Sequence, residues 1–227
     1  MPNWCFNELT IKDNSHEILS EVKKFCIGSE WDKDKKRMNH FFDFNRILKM
    51  PESMNIECGS RTDDSCRYYC MKNDKDVPKA SLRHPLRFSR NADGKLLSVE
   101  EYEKDEHFGQ EEFELGHKVY TNLVKYGFVG WYDWAIENWG TKWNSCDSDG
   151  DFQDVTDNEI FIQFDTAWTA PFPVIMKLSE DFPTAEITLH ASYEGGDDDD
   201  VVTYKNGFVI HEEEIPHHDD DYDEYAE

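Results

Sequence analysis

Residues 3–11, NWCFNELTI, alternate in the manner of a strand, with Cys5, Asn7, Leu9 and Ile11 on one face and Trp4 and Phe6 on the other. Asn14-Ser15 then offers a helix N-cap, and Ile18, Leu19, Val22, Phe25 and Cys26 recur at helical spacing up to Gly28. The charged stretch 29–40 reads as loop, and FFDFNRILKMPE (41–52) as an apolar segment closed by a proline. Residues 53–97 keep no sustained period and mix Cys, Gly, Pro and basic residues, which predicts an inserted, loop-rich element. Ser98 with Glu101 has the form of a capping box for a short acidic helix. Phe113, His117, Tyr120, Leu123 and Val124 predict a longer helix stopped by Gly127.

The second half of the pattern is more regular. WYDWAIENWG (131–140) fits a short helix ended by Gly140. Trp143–Asp147 reads as a short strand and EIFIQFDTAW (159–168) as a strong one, joined as a hairpin through the turn chemistry of CDSDGDFQD. Pro173 opens a helix with Val174, Met176, Leu178 and Phe182 as apolar positions. AEITLHASYE (185–194) is the next strand, and VVTYKNGFVIHEE (201–213) reads as a hairpin across Asn206-Gly207. With the middle removed, the order is strand, helix, two strands, helix, strand, the βαββαβ order of a ferredoxin-like fold. The fold class is therefore α+β: a ferredoxin-like core with a large, partly helical insertion and an extra C-terminal β-hairpin. The core is assigned to 1–28 and 127–194 and the insertion to 29–126, basic and loop-rich over 53–97 and helical over 98–126. An acidic link and hairpin take 195–215, and a disordered acidic tail 216–227.

Composition narrows the function classes. Six cysteines at irregular spacing, with no basic flank and apolar run at the N-terminus, point to reduced thiols in a cytoplasm. No apolar run is long enough to span a bilayer, so no membrane association is expected. With 24 Lys+Arg against 49 Asp+Glu the net charge is −25, a field that repels nucleic acid and attracts basic partners. The charge is uneven: residues 61–95 carry nine basic and five acidic residues, and from Asp197 onward thirteen acids face Lys205 alone.

Five of the seven tryptophans lie between 131 and 168, in WYDWAIENWGTKW and FDTAWTAPFPV. So dense a cluster is the core of a specific domain or an aromatic binding surface, and packing is the more ordinary account of large rings. Together with the start MPNWCFNELTI and the run FDTAWTAPFPVIMKLSEDFP, these segments resemble the phage and plasmid family with a YubB-type ferredoxin-like domain. The resemblance spans about 1–27 and 127–194. It implies a ferredoxin-like core with a variable middle, a phage, prophage or plasmid origin and action in a bacterial cytoplasm. It carries over no catalytic residue.

Candidate chemistry is thin. Cys58, Cys66 and Cys70 with His84 offer zinc-ligand types, but without the paired C-x2-C spacing, so ordinary thiols are the simpler reading. Asp147, Asp149, Asp151 and Asp154 fail the calcium-loop pattern, since Gly150 and Asn158 stand in the wrong places. His211, His217 and His218 lie in an acidic context without organised ligand spacing. Asp133 and Glu137, one turn apart, could serve as a carboxylate pair or simply line an exposed helix face. Strand aromatics Trp4, Phe6, Phe161 and Tyr193 could stack RNA bases, against the charge of the chain.

The expectation is a non-enzymatic protein without cofactor that binds and inhibits a host bacterial protein with a basic surface, in defence or DNA processing, by imitating nucleic-acid charge. The partner-binding residues are Asp197, Asp198, Asp199, Asp200, Glu212, Glu213, Glu214, Asp219, Asp220 and Asp221, each also readable as solvated acid. The alternatives are nucleic-acid binding through Arg83, Arg87 and Arg90 of the basic insertion, and a small-ligand pocket in the tryptophan cluster.

Overall fold

The computed structural model describes residues 3–34, 36–79, 85–104, 108–148 and 150–216. Its chain divides into two compact units, Met1–Lys49 with Asn138–Glu227, and Met50–Glu137.

The first unit is an α+β layer structure. Strands β1 (Trp4–Lys12), β4 (Gln153–Thr156), β5 (Glu159–Ala167), β6 (Glu186–Tyr193), β7 (Asp198–Lys205) and β8 (Phe208–Pro216) form one sheet in the order β4-β5-β1-β6-β7-β8. Every neighbouring pair is antiparallel. The first four strands in that order, with helices α1 (His16–Cys26) and α7 (Phe172–Asp181), make the ferredoxin-like arrangement, and β7–β8 extends it beyond β6. Strand β1 is central because its alternation is strict: Cys5, Asn7, Leu9 and Ile11 are fully or almost fully buried. Ile160, Ile162 and Phe164 of β5 and Ile187, Leu189 and Ala191 of β6 are buried on the same face. Ser15 caps α1 by accepting the Ile18 N–H at 3.4 Å, and Leu19, Val22 and Cys26 are its buried side.

The hairpin expected across Asn206-Gly207 is present, both residues taking the positive φ that such a turn needs. Three local expectations differ from what formed. The stretch 29–40 lies in a hairpin of β2 (Ile27–Asp32) and β3 (Arg37–Phe42), where half of the strand residues are exposed in runs that show no alternation. The second core strand is Gln153–Thr156 rather than 143–147, which contributes only the bridge from Cys146 to Asp165. All four residues of β4 are exposed, and an exposed edge leaves no hydrophobic signature. In α7 the buried positions are Val174, Ile175, Leu178 and Ser179, while Met176 is exposed.

Under the sheet lies an aromatic cluster. Phe42 packs on Phe164 at 4.8 Å and on Phe44 and Phe152 edge to face, and Phe44 contacts Trp139 at 5.8 Å. Buried Trp139 donates its indole N–H to the Leu48 carbonyl at 2.8 Å, the partner that a buried indole requires.

The second unit is helical: a 3-10 turn (Glu52–Met54), α3 (Ser60–Lys72), α4 (Val99–Lys104), α5 (Gln110–Tyr126) and most of α6 (Trp131–Trp139). Ser98 and Glu101 form the expected capping box, and Gly127 ends α5 at φ 82°. The stretch expected to be loop-rich holds α3. Its inward side is Thr62, Asp64, Ser65, Cys66, Tyr68, Tyr69 and Cys70, too polar to show a hydrophobic period. Ile56, Cys66, Tyr69, Cys70, Val119, Leu123 and Val129 make this unit's core. Val119 and Gly116 face inward on α5, whereas Val124 is exposed. At Gly116 a Cβ would stand 2.0 Å from the Ser65 carbonyl oxygen, so α3 and α5 approach closely only because that residue is glycine. Asp64 is 5% exposed and accepts the Ser89 N–H at 2.7 Å, the Ser89 hydroxyl and the Tyr102 hydroxyl at 2.8 Å. This unit thus tethers residues 85–104 to a helix through a satisfied buried carboxylate.

Candidate functional site

The tryptophans separate into two groups. Trp134 and Trp139 are buried, whereas Trp168 is 40% exposed and Trp31 57% exposed. Trp4 and Trp143 are half-buried, with ring centroids 6.4 Å apart. Lys142 Nζ lies 4.4 Å from the centroid of the Trp143 ring and 5.0 Å from that of Trp168. The corner is built by buried hydrogen bonds from β1 and β5. Asn7 is 1% exposed, and its Nδ2 reaches the Thr166 hydroxyl at 2.9 Å and the carbonyls of Cys5 and Phe164. Thr166 donates to the Thr169 carbonyl at 2.8 Å, and buried Thr141 to that of Ala167 at 2.8 Å. The Trp168 N–H donates to the Asn3 carbonyl at 2.9 Å, and the Trp4 N–H to a Glu194 carboxylate oxygen at 2.9 Å. Trp168 is held at φ 80°, a conformation that is unfavourable for any residue with a Cβ and rare for a large one. The segments TKW (141–143) and TAWTA (166–170) are thus one structural corner.

The face of the sheet opposite the core carries a polar chain across four strands. Gln163 of β5 donates to Glu8 of β1 at 2.8 Å. Glu8 lies 3.4 Å from His190 Nδ1, and His190 Nε2 lies 2.9 Å from Asp199 of β7. Ser192 donates to the same Asp199 oxygen at 2.8 Å. Its proton therefore goes to the carboxylate, the geometry of a cross-strand brace rather than of a hydroxyl activated by an imidazole. Phe6 is 48% exposed on this face, with half-buried Phe161 opposite Thr10, four residues along β5 from the Phe6 partner Asp165. Tyr193 pairs with Cys5 and so lies on the opposite face from Phe6, with its hydroxyl donated to Asp200 at 2.5 Å. The four candidate stacking aromatics are accordingly not one platform. Burial and the bond to Asp200 push the Tyr193 phenol far above its ordinary range. Burial, with Asp147 nearby, raises the Asp165 carboxyl.

The acids chosen from the sequence take different roles. Asp198, Asp199 and Asp200 lie on β7, facing Glu214, Ile215 and Pro216 of β8, and Glu212 and Glu213 pair with Val202 and Val201. Asp199 is 6% exposed and bound to His190 and Ser192, and Asp200 accepts Tyr193, so these two are internal. Glu212, Glu213 and Glu214 are exposed on the edge strand, after exposed Phe208, Val209 and Ile210. Asp197 is exposed in the turn before β7, and Asp219, Asp220 and Asp221 lie outside the described residues.

In the helical unit the alternatives are placed as follows. Arg61 bridges Glu111 at 3.0 Å and Glu112 at 2.7 Å, and Lys72 bridges Glu103 at 2.6 Å. Lys75 lies over Tyr120 at 4.5 Å and Arg67 over Phe88 at 5.5 Å. The excess positive charge of 61–95 is thus met by acids from α4 and α5, and across 50–137 twelve Lys+Arg face seventeen Asp+Glu. The Arg87 N–H donates to Asp63, and the Arg90 guanidinium to the Gly94 carbonyl. Arg83 and His84 lie outside the described residues. Cys66 and Cys70 are fully buried in the core, and burial raises both thiols and that of Cys58. Among the described residues no three His, Cys, Asp or Glu side chains are grouped to hold a metal ion. Asp133 lines a cleft of about 310 Å³ with Cys58, Asp63, Arg87 and Tyr132, whereas Glu137 is exposed and outside its lining. That carboxylate pair does not converge on one site. The missed feature is the Lys142 position, since nothing in the local pattern places it between Trp143 and Trp168.

Residues 138–227 match the family described as the ferredoxin-like domain in Api92-like protein. The match covers β4 to β8 and α7 but not β1, which sits in the middle of the sheet. The match covers less than half of the chain and supports the ferredoxin-like fold over that part. A crystal structure of protein api92 from Yersinia pseudotuberculosis is similar at 12% identity and TM-score 0.48, over 96% of this chain and 99% of that one. No curated protein matches the chain. Among the described residues no helix is long and apolar enough to cross a membrane.

Proposed function

We propose that this chain is a non-catalytic binding protein whose acidic β7–β8 hairpin engages a basic surface of a protein partner. The observation that carries the reading is the edge strand β8, where Glu212, Glu213 and Glu214 are exposed one after another. Like charges Asp200 and Glu214 also stand directly opposite each other, an arrangement that opposes sheet formation. A strand rises about 3.4 Å per residue, close to the rise per phosphate along one DNA strand. Glu212, Glu213 and Glu214 therefore place one charge per about 3.4 Å along the edge strand, on alternate faces, the axial spacing of a single nucleic-acid strand. In the same reading the protein comes from a phage or plasmid, acts in the bacterial cytoplasm and inhibits a host defence or DNA-processing factor by occupying its nucleic-acid groove.

The test is capture of partners from bacterial lysate by the full chain and by a Glu212→Lys, Glu213→Lys, Glu214→Lys variant. The reading expects a partner that the variant loses, whose binding weakens by about tenfold or more between about 50 and 200 mM salt and is displaced by duplex DNA, as multi-charge contacts require. Salt-insensitive binding, or equal capture by the variant, overturns it.

A further inference from the structure

We propose that Trp4, Trp143 and Trp168 form a binding site for a cationic group, an ammonium or guanidinium carried by a protein partner, and that Lys142 occupies it in the free protein. The site is separate from the β8 acids and does not rest on them. Three observations carry it. First, a cation already sits there: Lys142 Nζ is 4.4 Å from one indole centroid and 5.0 Å from another, both inside the distance over which ring faces attract positive charge. Second, the rings are not packed away. Trp168 is 40% exposed and Trp4 and Trp143 are half-buried, unlike Trp134 and Trp139.

Third, Trp168 stays in a left-handed backbone conformation that only glycine adopts freely, on a turn fixed by Thr141, Thr166 and Asn7. Strain of this kind persists where surrounding structure over-determines it, and it is concentrated at ligand clamps. Trp168 keeps this backbone conformation while 40% exposed, so part of its surface remains accessible at the corner.

The ligand class follows from charge. The chain carries −25, and the Glu194 carboxylate accepts the main-chain N–H of Trp4, so an anionic base or phosphate is disfavoured and a cation favoured. Lys142 is a primary ammonium, strongly hydrated and tethered by a flexible stem, so a guanidinium or alkylated ammonium, which sheds water more readily, can replace it.

The experiment titrates tetramethylammonium chloride into the full chain with ¹⁵N-labelled tryptophan and follows the indole N–H signals. The signals of Trp4, Trp143 and Trp168 should shift saturably while those of Trp134 and Trp139 stay still. Neopentyl alcohol, the neutral carbon analogue, should leave all of them in place. Lys142→Ala vacates the site and should tighten binding several-fold. Trp168→Gly suits the φ of that position, so it should keep the fold and lose the saturable shift. The proposal is overturned by equal shifts with neopentyl alcohol, by an unchanged titration in Lys142→Ala, or by adenosine monophosphate shifting these indoles where tetramethylammonium does not.

Discussion

Replacing Trp168 by alanine and, separately, by glycine isolates the backbone at that corner from the ring it carries. Both changes delete the same indole. A tryptophan buries 150–250 Å² at most, and with 40% of Trp168 exposed roughly 100–150 Å² is removed from water, so each change loses about 3 kcal/mol. The difference between the two variants comes from φ 80° alone. An alanine Cβ in the left-handed region costs about 1–2 kcal/mol, and glycine avoids that penalty. Glycine gives back part of the gain, since its unfolded chain is freer by about 0.4–1 kcal/mol. Trp168→Gly should therefore match or exceed Trp168→Ala in stability, by up to about 1.6 kcal/mol, in place of the preference for alanine of about 0.5–1 kcal/mol at ordinary positions. Urea denaturation of the full chain, followed by fluorescence of the six remaining tryptophans, reads this as an equal or higher midpoint for the glycine variant at equal slope. If alanine proves more stable than glycine by the roughly 0.5–1 kcal/mol of ordinary positions, the backbone at 168 is not left-handed in solution. The strain argument for the aromatic corner then falls.

Further outcomes test the two units separately. Asp64→Ala strips Ser89 and Tyr102 of their buried acceptor and should destabilise the helical unit by about 3 kcal/mol. Hydrogen exchange should then speed up over 85–104 while the β1, β5 and β6 amides keep their protection; equal acceleration in both would refute the local tether. In the sheet unit, burial raises the Cys5 thiol from 9.0 to about 12 and the Tyr204 phenol to about 12. The folded state therefore keeps protons that the unfolded chain releases from pH 9 upward. Stability should be flat below pH 9 and fall as pH rises toward 12, with Cys5 contributing up to about 1.4 kcal/mol per pH unit. Cys5→Ala should flatten that slope in alkaline denaturation, and an unchanged slope would refute the assignment.

Legibility followed burial. The β1 alternation, the Ser15 cap, the Ser98–Glu101 box, the Gly127 stop and the Asn206-Gly207 turn were readable because each depends on residues within about one turn of each other. Strands β2, β3 and β4 were not, since most of their side chains are exposed and carry no period. Helix α3 was missed for the opposite reason: it buries Thr62, Asp64, Ser65 and two cysteines, a side too polar to show a period, and the Asp64 carboxylate is satisfied by Ser89 and Tyr102, which lie far along the chain. The same holds for the acidic run at 197–200, which reads as one solvated stretch. Alternation along β7 turned Asp199 toward His190 and Asp200 toward Tyr193 and left Asp197, Asp198 and the neighbouring strand's Glu212–Glu214 exposed.

By itself the sequence determined the α+β class, the βαββαβ order and a net charge of −25, because periodicity, capping and net charge are local or additive properties. Tertiary structure decided which carboxylates stay exposed, which tryptophans are core and where Lys142 lies. Those outcomes depend on strand register and on a turn held by contacts between residues more than a hundred positions apart, such as Asn7 with Thr166. No one-dimensional pattern encodes that pairing, so the aromatic corner exists only once β1 has entered between β5 and β6.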